Sequence, residues 1–292
     1  MNIAIVGLGE VGRCYANALT GVSGTHLLLC EQRVSESAAR LAGELDLPIH
    51  ETVGPWLGDA DWVFSCVVGT TSLEVAENCF RYMKKGASFA DFTTASPDMK
   101  RQGAKRADAR EMAYADVAIM GAIALLGART PLLCSGNGAA AFAAILAEAS
   151  GAAPRVLPDS HAGDAMSLKI LRSVFTKGME ALAVEVLMAA EQQGLRGELY
   201  EVLQDVDKAS LPQFLEMLVT THVIHARRRL HEVEEAERQL AAIGIVSDVL
   251  DGVQHRFART ADKLDVCPLP TEKPALADAL TWLSADLVKA AA

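Results

Sequence analysis

The amino-acid sequence predicts an α/β fold with a doubly wound, mostly parallel sheet, followed by an all-helical domain. Short β-rich runs alternate with helical segments through the first half of the 292 residues. A glycine-rich turn at residues 7–12 stands directly between the first strand and the first helix. After Pro158 the strands end and long helical segments follow. We place the domain boundary between residues 158 and 159, because the segment bracketed by Pro154 and Pro158 is the clearest break in this pattern.

Seven strands are predicted in the first domain. The opening run, residues 2–6, is short and rich in β-branched side chains. Residues 62–68 are almost continuously apolar, as expected for a parallel strand that helices cover on both faces. In chain order the predicted strands are residues 2–6, 25–30, 49–53, 62–68, 87–92, 114–119 and 131–134.

The helices are predicted from apolar residues at helical spacing, as at Ala38, Leu41 and Leu45. Pro97 opens one of them, at a position where a helix tolerates proline. The first domain has predicted helices at residues 13–19, 35–45 and 73–83, one from residue 97, and one at 139–149. The second domain, residues 159–292, has predicted helices at 161–193, 198–208, 211–242, 245–263 and 274–290.

The composition predicts a folded chain and excludes several classes of protein. The 51% hydrophobic and 22% charged residues are too apolar for intrinsic disorder. A net charge of −10 argues against nucleic acid as a partner. The chain shows no basic leader segment and no uncharged run long enough to span a bilayer, so we expect no membrane partner and a cytoplasmic location. Six scattered cysteines without a CxxC pair predict neither disulfides nor a thiolate metal site.

The turn Gly7-Leu8-Gly9-Glu10-Val11-Gly12 is the G-x-G-x-x-G pattern in the strand-to-helix context of a Rossmann-type dinucleotide site. In that context the first glycine permits the tight turn, the second admits a pyrophosphate, and the third lets the helix approach the strand. Glu31 ends the second strand, where a carboxylate accepts hydrogen bonds from an adenine-ribose diol, which favours NAD. Arg33 could instead pair with a 2′-phosphate, so NADP stays open.

Three segments resemble the β-hydroxyacid dehydrogenase family, which includes 3-hydroxyisobutyrate and 6-phosphogluconate dehydrogenases. Residues 7–12, followed by Ala16-Asn17-Ala18-Leu19, are similar to the GLGxMGxxMAxNL opening of the family. Residues 91–97 read DFTTASP and are similar to its DxSTxxP segment, with Thr93 where serine is usual. Residues 163–169 read GDAMSLK and place Lys169 where the family carries its catalytic lysine. The C-terminal part resembles a branch with a phosphogluconate-dehydrogenase-like helical domain.

The resemblance implies an NAD(P)-dependent oxidoreductase that moves a hydride between nicotinamide and a hydroxy or oxo group of a small polar substrate, with Lys169 as acid and base. It also implies a homodimer through the helical domain. The expected cofactor residues are Gly7, Leu8, Gly9, Glu10, Val11, Gly12, Glu31, Arg33, Val67, Val68, Gly69 and Thr93. The expected substrate residues are Thr94, Met120, Gly121, Ala122, Ser173 and Lys177.

Two departures from the family pattern affect the expected substrate site. Residues 116–122 read DVAIMGA where the family has DAPVSGG, so Met120 and Ala122 replace a serine and a glycine that would hold a carboxylate. Ser173 stands where the family has asparagine.

Lys169, Ser173 and Lys177 share one helix face, and the ammonium groups of Lys169 and Lys177 would lower each other's pKa.

The sequence leaves three alternative functions open. An imine reductase has a related fold, but its members usually lack the lysine at Lys169. A nucleotide-sensing module without turnover would explain the altered carboxylate motif. Oxidative decarboxylation of a phosphosugar acid would need a phosphate clamp that the sequence does not identify. His222 and His225 are one helical turn apart, yet no carboxylate or cysteine completes a metal site, so no metal is expected.

Overall fold

The computed structural model describes residues 1–285 and shows a Rossmann-like sheet followed by helices. The chain forms two compact units, Met1–Val174 and Phe175–Ala292. The first unit holds one eight-stranded sheet in the order β3-β2-β1-β4-β5-β6-β7-β8. Its strands are β1 Asn2–Val6, β2 His26–Cys30, β3 Ile49–His50, β4 Trp62–Ser65, β5 Ser88–Asp91, β6 Ala113–Ile119, β7 Leu132–Ser135 and β8 Arg155–Val156.

All neighbouring strands run parallel except β6 and β7, which pair antiparallel. The strand order changes direction between β1 and β4, and ligands of doubly wound sheets bind at this point of the carboxyl edge. The helices of this unit are α1 Glu10–Leu19, α2 Glu36–Leu45, α3 Ser72–Tyr82, α4 Pro97–Asp108, α5 Ile123–Leu126 and α6 Ala139–Ser150.

Apolar layers lie on both faces of the sheet. In β1, Ile3 and Ile5 face one layer while Ala4 and Val6 face the other, because successive side chains of a strand alternate. This two-sided burial explains why the strands read as continuous apolar runs rather than as alternating patterns. Serine caps begin α2 and α4, where Ser35 Oγ and Ser96 Oγ accept hydrogen bonds from backbone amides of the first turn.

The remaining helices are α7 Asp164–Gln192, α8 Arg196–Val202, α9 Leu211–Ala242, α10 Asp248–Val266 and α11 Leu276–Ser284. Helix α7 begins in the first unit and ends in the second. A capping box at Ser210 and Gln213 begins α9, and a small core of Val223, Ala279 and Trp282 joins α9 to α11. No helix within residues 1–285 has the length and apolar character needed to cross a membrane.

The structure confirms the predicted fold class and all seven predicted strands. Strand β3 is shorter than predicted, because its pairing with β2 ends at His50. Strand β8, a two-residue strand inside the proline-bracketed segment that pairs with β7, was not predicted. The last predicted helix is present as α11, and its predicted residues 286–290 lie outside the described residues. The division at residues 158 and 159 stays a prediction.

Candidate active site

The glycine-rich turn has the backbone geometry of a dinucleotide cradle. Gly7 has a φ of +94°, and a Cβ there would lie 2.8 Å from the carbonyl carbon of Cys66. A Cβ on Gly12 would lie 1.9 Å from the Gly7 oxygen, so α1 approaches β1 as closely as glycine allows. A Cβ on Gly9 would meet nothing within 4 Å. Protein packing therefore requires glycine at Gly7 and Gly12, whereas the open space beside Gly9 fits a ligand.

The first turn of α1 begins directly after Gly9, beside this open space. Gly9 is the N-cap residue of α1, and no side chain caps the helix there. Uncapped amides and the positive end of the helix dipole are suited to a phosphate group. The turn is also held from β2, because Glu31 Oε2 accepts a 2.7 Å hydrogen bond from the Leu8 amide. These features fit the diphosphate of a dinucleotide.

Glu31 has a second hydrogen bond within its own loop. Its Oε1 accepts a 3.1 Å hydrogen bond from the backbone amide of Arg33, whose side chain is exposed. The carboxylate is therefore fixed at the end of β2, beside the glycine-rich turn. Each carboxylate oxygen has further lone pairs, so Glu31 keeps the capacity to accept from ribose hydroxyls.

The loops after β4 and β5 lie against each other at the same edge of the sheet. A Cβ on Gly69 would stand 2.9 Å from the carbonyl carbon of Thr94, so these two loops meet at backbone distance. Val68 beside this contact is 67% exposed, although it is apolar. Thr93 is buried, and its amide donates a 2.8 Å hydrogen bond to Asp91 Oδ1. The structure thus brings the predicted cofactor residues of four strand ends to one edge.

A buried charge network lies behind these loops. The side chain of Lys100 on α4 has no exposed surface, and its Nζ lies 2.7 Å from the Asp91 carbonyl oxygen, 3.1 Å from Asp91 Oδ1 and 3.3 Å from Asp116 Oδ1. The Tyr114 hydroxyl donates a 2.6 Å hydrogen bond to Asp91 Oδ2, and Ser72 Oγ donates to the same oxygen at 3.0 Å. Two carboxylates therefore share one buried ammonium group.

The pKa of Asp91 reflects this environment. Burial by itself would raise the pKa, but the Lys100 ammonium and hydrogen bonds from Tyr114 and Thr93 outweigh it, so the pKa lies below its usual value. Burial and the adjacent Asp91 raise the pKa of Tyr114 well above its usual value. At neutral pH Asp91 is therefore a carboxylate and Tyr114 a neutral phenol.

Asp116 anchors the beginning of α7. Its Oδ2 accepts hydrogen bonds from the amides of Gly163 at 3.0 Å and Met166 at 3.1 Å. Ser135 Oγ donates to the same oxygen at 3.1 Å and accepts from the Ala165 amide at 3.0 Å. A carboxylate from β6 thus satisfies amides of the first turn of α7 and interacts favourably with its dipole. The first turn of α7 is therefore fixed to the sheet.

Lys169 follows one turn after this anchor and is partly buried. Burial lowers the pKa of its ammonium group, as does the positive charge of Lys100, while Asp116 opposes the shift. The neighbouring ammonium group that lowers this pKa is that of Lys100, whereas Lys177 forms an ion pair with Glu180. The charge that lowers the pKa of Lys169 therefore comes from Lys100, which the sequence pattern did not indicate, and not from Lys177 as predicted.

The other expected substrate residues are distributed around β6 and α7. Met120 follows β6, donates its amide to the Pro131 carbonyl at 2.8 Å and packs on a small cluster that includes Ala165 of α7. Gly121 lies against Thr130, and Ala122 accepts a hydrogen bond from the Thr130 hydroxyl at 3.4 Å. Their roles, and that of Ser173, stay predictions.

Sequence reasoning missed the network of Asp91, Lys100, Tyr114 and Asp116 as a unit. One signal was available, because Asp91 and Asp116 each lie in an apolar strand, where a carboxylate requires a buried partner. Nothing in the charged segment 97–108 distinguishes Lys100 from its exposed neighbours by residue type. Within residues 1–285, no three histidine, cysteine or acidic residues are grouped to hold a metal ion.

The fold and this edge of the sheet define the class as a dinucleotide-binding oxidoreductase domain. Residues 2–149, half of the chain, match the family described as the NAD binding domain of 6-phosphogluconate dehydrogenase, and the chain belongs to this family. Residues 190–260 match a second family, described as a domain of unknown function, DUF1932.

Several known proteins are similar to this chain. A 28.5 kDa protein of Methanothermus fervidus, described as uncharacterized, is 29% identical over 238 residues, which cover 82% of this chain and 90% of that protein. The structure of MTH1747, a conserved protein described as structurally similar to 3-hydroxyacid dehydrogenases, is 26% identical with a TM-score of 0.62 and covers 90% of this chain and 97% of that one. An imine reductase from Aspergillus terreus, at 19% identity, shares the fold with a TM-score of 0.70 over 90% of this chain and 94% of that one.

Proposed function

We propose that this protein is an NAD(P)-dependent oxidoreductase that transfers a hydride between nicotinamide and a hydroxy or oxo group of a small polar substrate, with Lys169 as acid and base. The observation that carries the proposal is a lysine with a lowered pKa, fixed one turn after an anchored helix start, in a chain with a dinucleotide cradle. A hydroxy acid or a derivative is the substrate class that the family suggests.

Lys169 would handle the proton of the reaction. NAD(P), when bound, supplies the hydride for reduction or accepts it for oxidation. In reduction, Lys169 Nζ–H gives its proton to the carbonyl oxygen as the carbon gains the hydride, and its positive charge stabilises the developing alkoxide. In oxidation the neutral amine takes the hydroxyl proton. A lowered pKa increases the fraction of neutral amine at physiological pH and so favours the base role.

Different predicted cofactor residues would bind different parts of the dinucleotide. Backbone amides after Gly9 would hold the diphosphate, and Glu31 would accept from the adenine ribose in NAD. Arg33 is exposed beside Glu31 and would pair with the 2′-phosphate of NADP. Val67, Val68 and Gly69 would contact the nicotinamide half.

Reduction of an imine is a second candidate. Its supporting observation is the replacement of the serine and glycine of the family's carboxylate motif by Met120 and Ala122, which gives this loop an apolar side chain and no side-chain hydroxyl. Under this alternative Lys169 would protonate nitrogen rather than oxygen. A catalytically silent NAD(P)-binding module is the remaining alternative.

The first experiment tests the cradle with two matched variants. We expect Gly9→Ala to lower the free energy of unfolding by no more than about 1 kcal/mol, because its Cβ has no protein neighbour within 4 Å and only the N-cap preference is lost. It should weaken NADH and NADPH binding at least about tenfold by filling the ligand space. Gly43→Ala is the control, since it also adds a Cβ in open space, within α2. Fluorescence titration measures binding. Equal binding by both variants would remove the basis for the cofactor site, and tighter binding of NADH or NADPH identifies the cofactor.

The second experiment tests the chemistry. Oxidation of NADH or NADPH, whichever binds more tightly, is followed with panels of oxo acids and cyclic imines. Reduction of the corresponding oxidised cofactor is followed with a panel of hydroxy acids. We expect turnover with an acid panel, and loss of most turnover with unchanged cofactor binding in Lys169→Met. Turnover with imines alone would favour the second candidate. Cofactor binding without turnover in any panel would favour the silent module.

We also propose a homodimer formed through the helical domain and a cytoplasmic location. The dimer is supported by large apolar side chains that are exposed along the helices of the second unit. Examples are Met179, Val184 and Met188 on α7, each more than half exposed. An isolated soluble unit rarely exposes so many, because each one favours burial.

A further inference from the structure

A cavity of about 530 Å³ lies within the helical unit, between α9, α10 and α11. Its walls are largely apolar and include Phe257 and Leu283. Three arginines, Arg229, Arg256 and Arg259, and the imidazole of His222 also line it. Such a cavity, apolar with a few convergent polar groups, is typical of a site for a small molecule.

The arginines that line the cavity differ from their neighbours on the same helices. On α9 the arginines at 227, 228 and 238 each form an ion pair with a carboxylate. Within residues 1–285, Arg229, Arg256 and Arg259 form no such pair. Arg229 donates to the Thr221 hydroxyl at 3.1 Å, and Arg256 donates to the Thr260 hydroxyl at 3.0 Å. These two partners are neutral, so they orient Arg229 and Arg256 without supplying an opposite charge; Arg256 and Arg259 are exposed at the cavity wall, and Arg229 is half-buried.

The histidine in the same wall adds a neutral polar group. Burial lowers the pKa of His222 to about 4, as do the positive charges of Arg256 and Arg229. Its Nε2 lies 2.8 Å from the hydroxyl of Thr260. Burial also lowers the pKa of Arg256, with a contribution from the positive charge of Arg259. The positive charges of Arg256 and Arg259 therefore repel each other in this wall.

We propose that this cavity binds a small organic acid, with a carboxylate held by the arginines and an apolar body against Phe257 and Leu283. A carboxylate relieves the mutual repulsion of the guanidinium groups and receives charge-assisted hydrogen bonds in a planar geometry that arginine matches. A bare inorganic anion has no apolar part to pack against this wall and would leave the wall in contact with water. The site shares no residue with the cofactor cradle or Lys169 and goes beyond the proposed hydride transfer.

The test uses 3-phenylpropanoate as the probe with the full-length protein at low salt. Two further compounds separate the contributions: 3-phenylpropanamide keeps the apolar body without charge, and sulfate supplies charge without the body. Isothermal titration calorimetry measures each affinity. We expect saturable binding of the carboxylate, with the amide and sulfate each bound at least about tenfold more weakly.

Matched arginine variants locate the binding. Arg256→Gln and Arg229→Gln should each weaken 3-phenylpropanoate binding about tenfold or more. Arg238→Gln on α9 is the control, because Arg238 pairs with Glu235 and does not line the cavity, and it should bind as the wild type does. Thermal unfolding of each variant shows whether it is folded, and two cavity variants keep the test decisive if one of them unfolds.

Three results would overturn the proposal. The first is equal affinity for the acid and its amide, which would mean that the arginines do not recognise the ligand. The second is binding that neither cavity variant changes. The third is no saturable binding, as expected if a second copy or another part of the chain fills the cavity. Unchanged probe binding in Gly9→Ala shows that the result is independent of the cofactor site.

Discussion

Replacing Lys100 by methionine should destabilise the sheet unit strongly, although Lys100 touches no proposed ligand. The variant keeps most of the side-chain volume of lysine and removes only the charge. In the wild type the ammonium has no exposed surface and contacts three oxygens at 2.7, 3.1 and 3.3 Å. Without it, Asp91 and Asp116 are two buried carboxylates with no cation between them.

The expected magnitude follows from that loss. Removing one partner of a buried ion pair costs about 3–5 kcal/mol, because the remaining charge stays buried without compensation. For a unit of this size, 1 kcal/mol corresponds to roughly 2–4 °C in Tm, so we expect a decrease of about 6–20 °C. Lys105→Met is the matched control on the same helix, since Lys105 is exposed, and it should change Tm by less than about 2 °C.

The loss should also depend on pH. The pKa of Asp91 is lowered in the folded wild type, so its contribution to stability is present above its ordinary pKa and is lost as pH falls through the lowered value. In Lys100→Met burial acts without an opposing cation and raises this pKa. Protonation then relieves the buried charge, so the difference in stability between wild type and variant should narrow from pH 7 towards pH 4.5.

Thermal unfolding followed by circular dichroism measures the change in Tm. A chain of two units need not unfold in one step. Hydrogen exchange of peptides that cover β5 and β6 therefore measures the loss of stability within the sheet unit itself. A decrease in Tm as small as that of Lys105→Met would refute the reasoning. A large decrease in Tm that is the same at pH 7 and pH 4.5 would mean that lost packing, and not the buried charge, destabilises the variant.

Three further predictions concern the same network and the helical unit. The pKa of Lys169 should lie below the ordinary value of about 10.4 and rise in Lys100→Met, as measured by NMR titration of ¹³C-methylated lysines; an ordinary value in both proteins would contradict the electrostatic argument. Tyr114→Phe removes a 2.6 Å hydrogen bond to a buried carboxylate and should lower the free energy of unfolding by about 1.5–3 kcal/mol in urea titrations, whereas a loss below about 0.5 kcal/mol would count against the bond. Light scattering after gel filtration should give twice the chain mass of 31.0 kDa, and a single-chain mass at micromolar concentration would end the dimer proposal.

The fold was largely predictable from local sequence, because each element carries its own signal. The strands are apolar runs and the helices repeat apolar residues every three or four positions, so seven strands and the long helices were predicted correctly. Helix α9 even has the predicted bounds, since Ser210 caps one end and the apolar pattern stops at the other. Strand β8 was missed because two residues between prolines carry too little pattern, and only pairing with β7 makes them a strand.

The candidate site was predictable to the extent that it depends on backbone shape. Only glycine fits at Gly7 and Gly12, so the backbone shape of the cradle requires a glycine pattern that is recognisable in the sequence. The direction of β7 was not predictable, because a short strand reads the same whether it pairs parallel or antiparallel. The effect of Lys100 on the pKa of Lys169 was not predictable either. Helical spacing indicates which residues of α7 are neighbours, but not which residues of other elements lie beside them.

The sequence by itself determined the class of fold, the dinucleotide turn and the position of the lysine after it. These features depend on residues close together in the chain, where spacing fixes geometry. The tertiary structure decided which charges meet. It places Lys100 of α4 between Asp91 of β5 and Asp116 of β6, and it ties α7 to that network through Asp116. Burial and Coulomb interactions depend on distances in space, and distant segments acquire those distances only when the sheet forms.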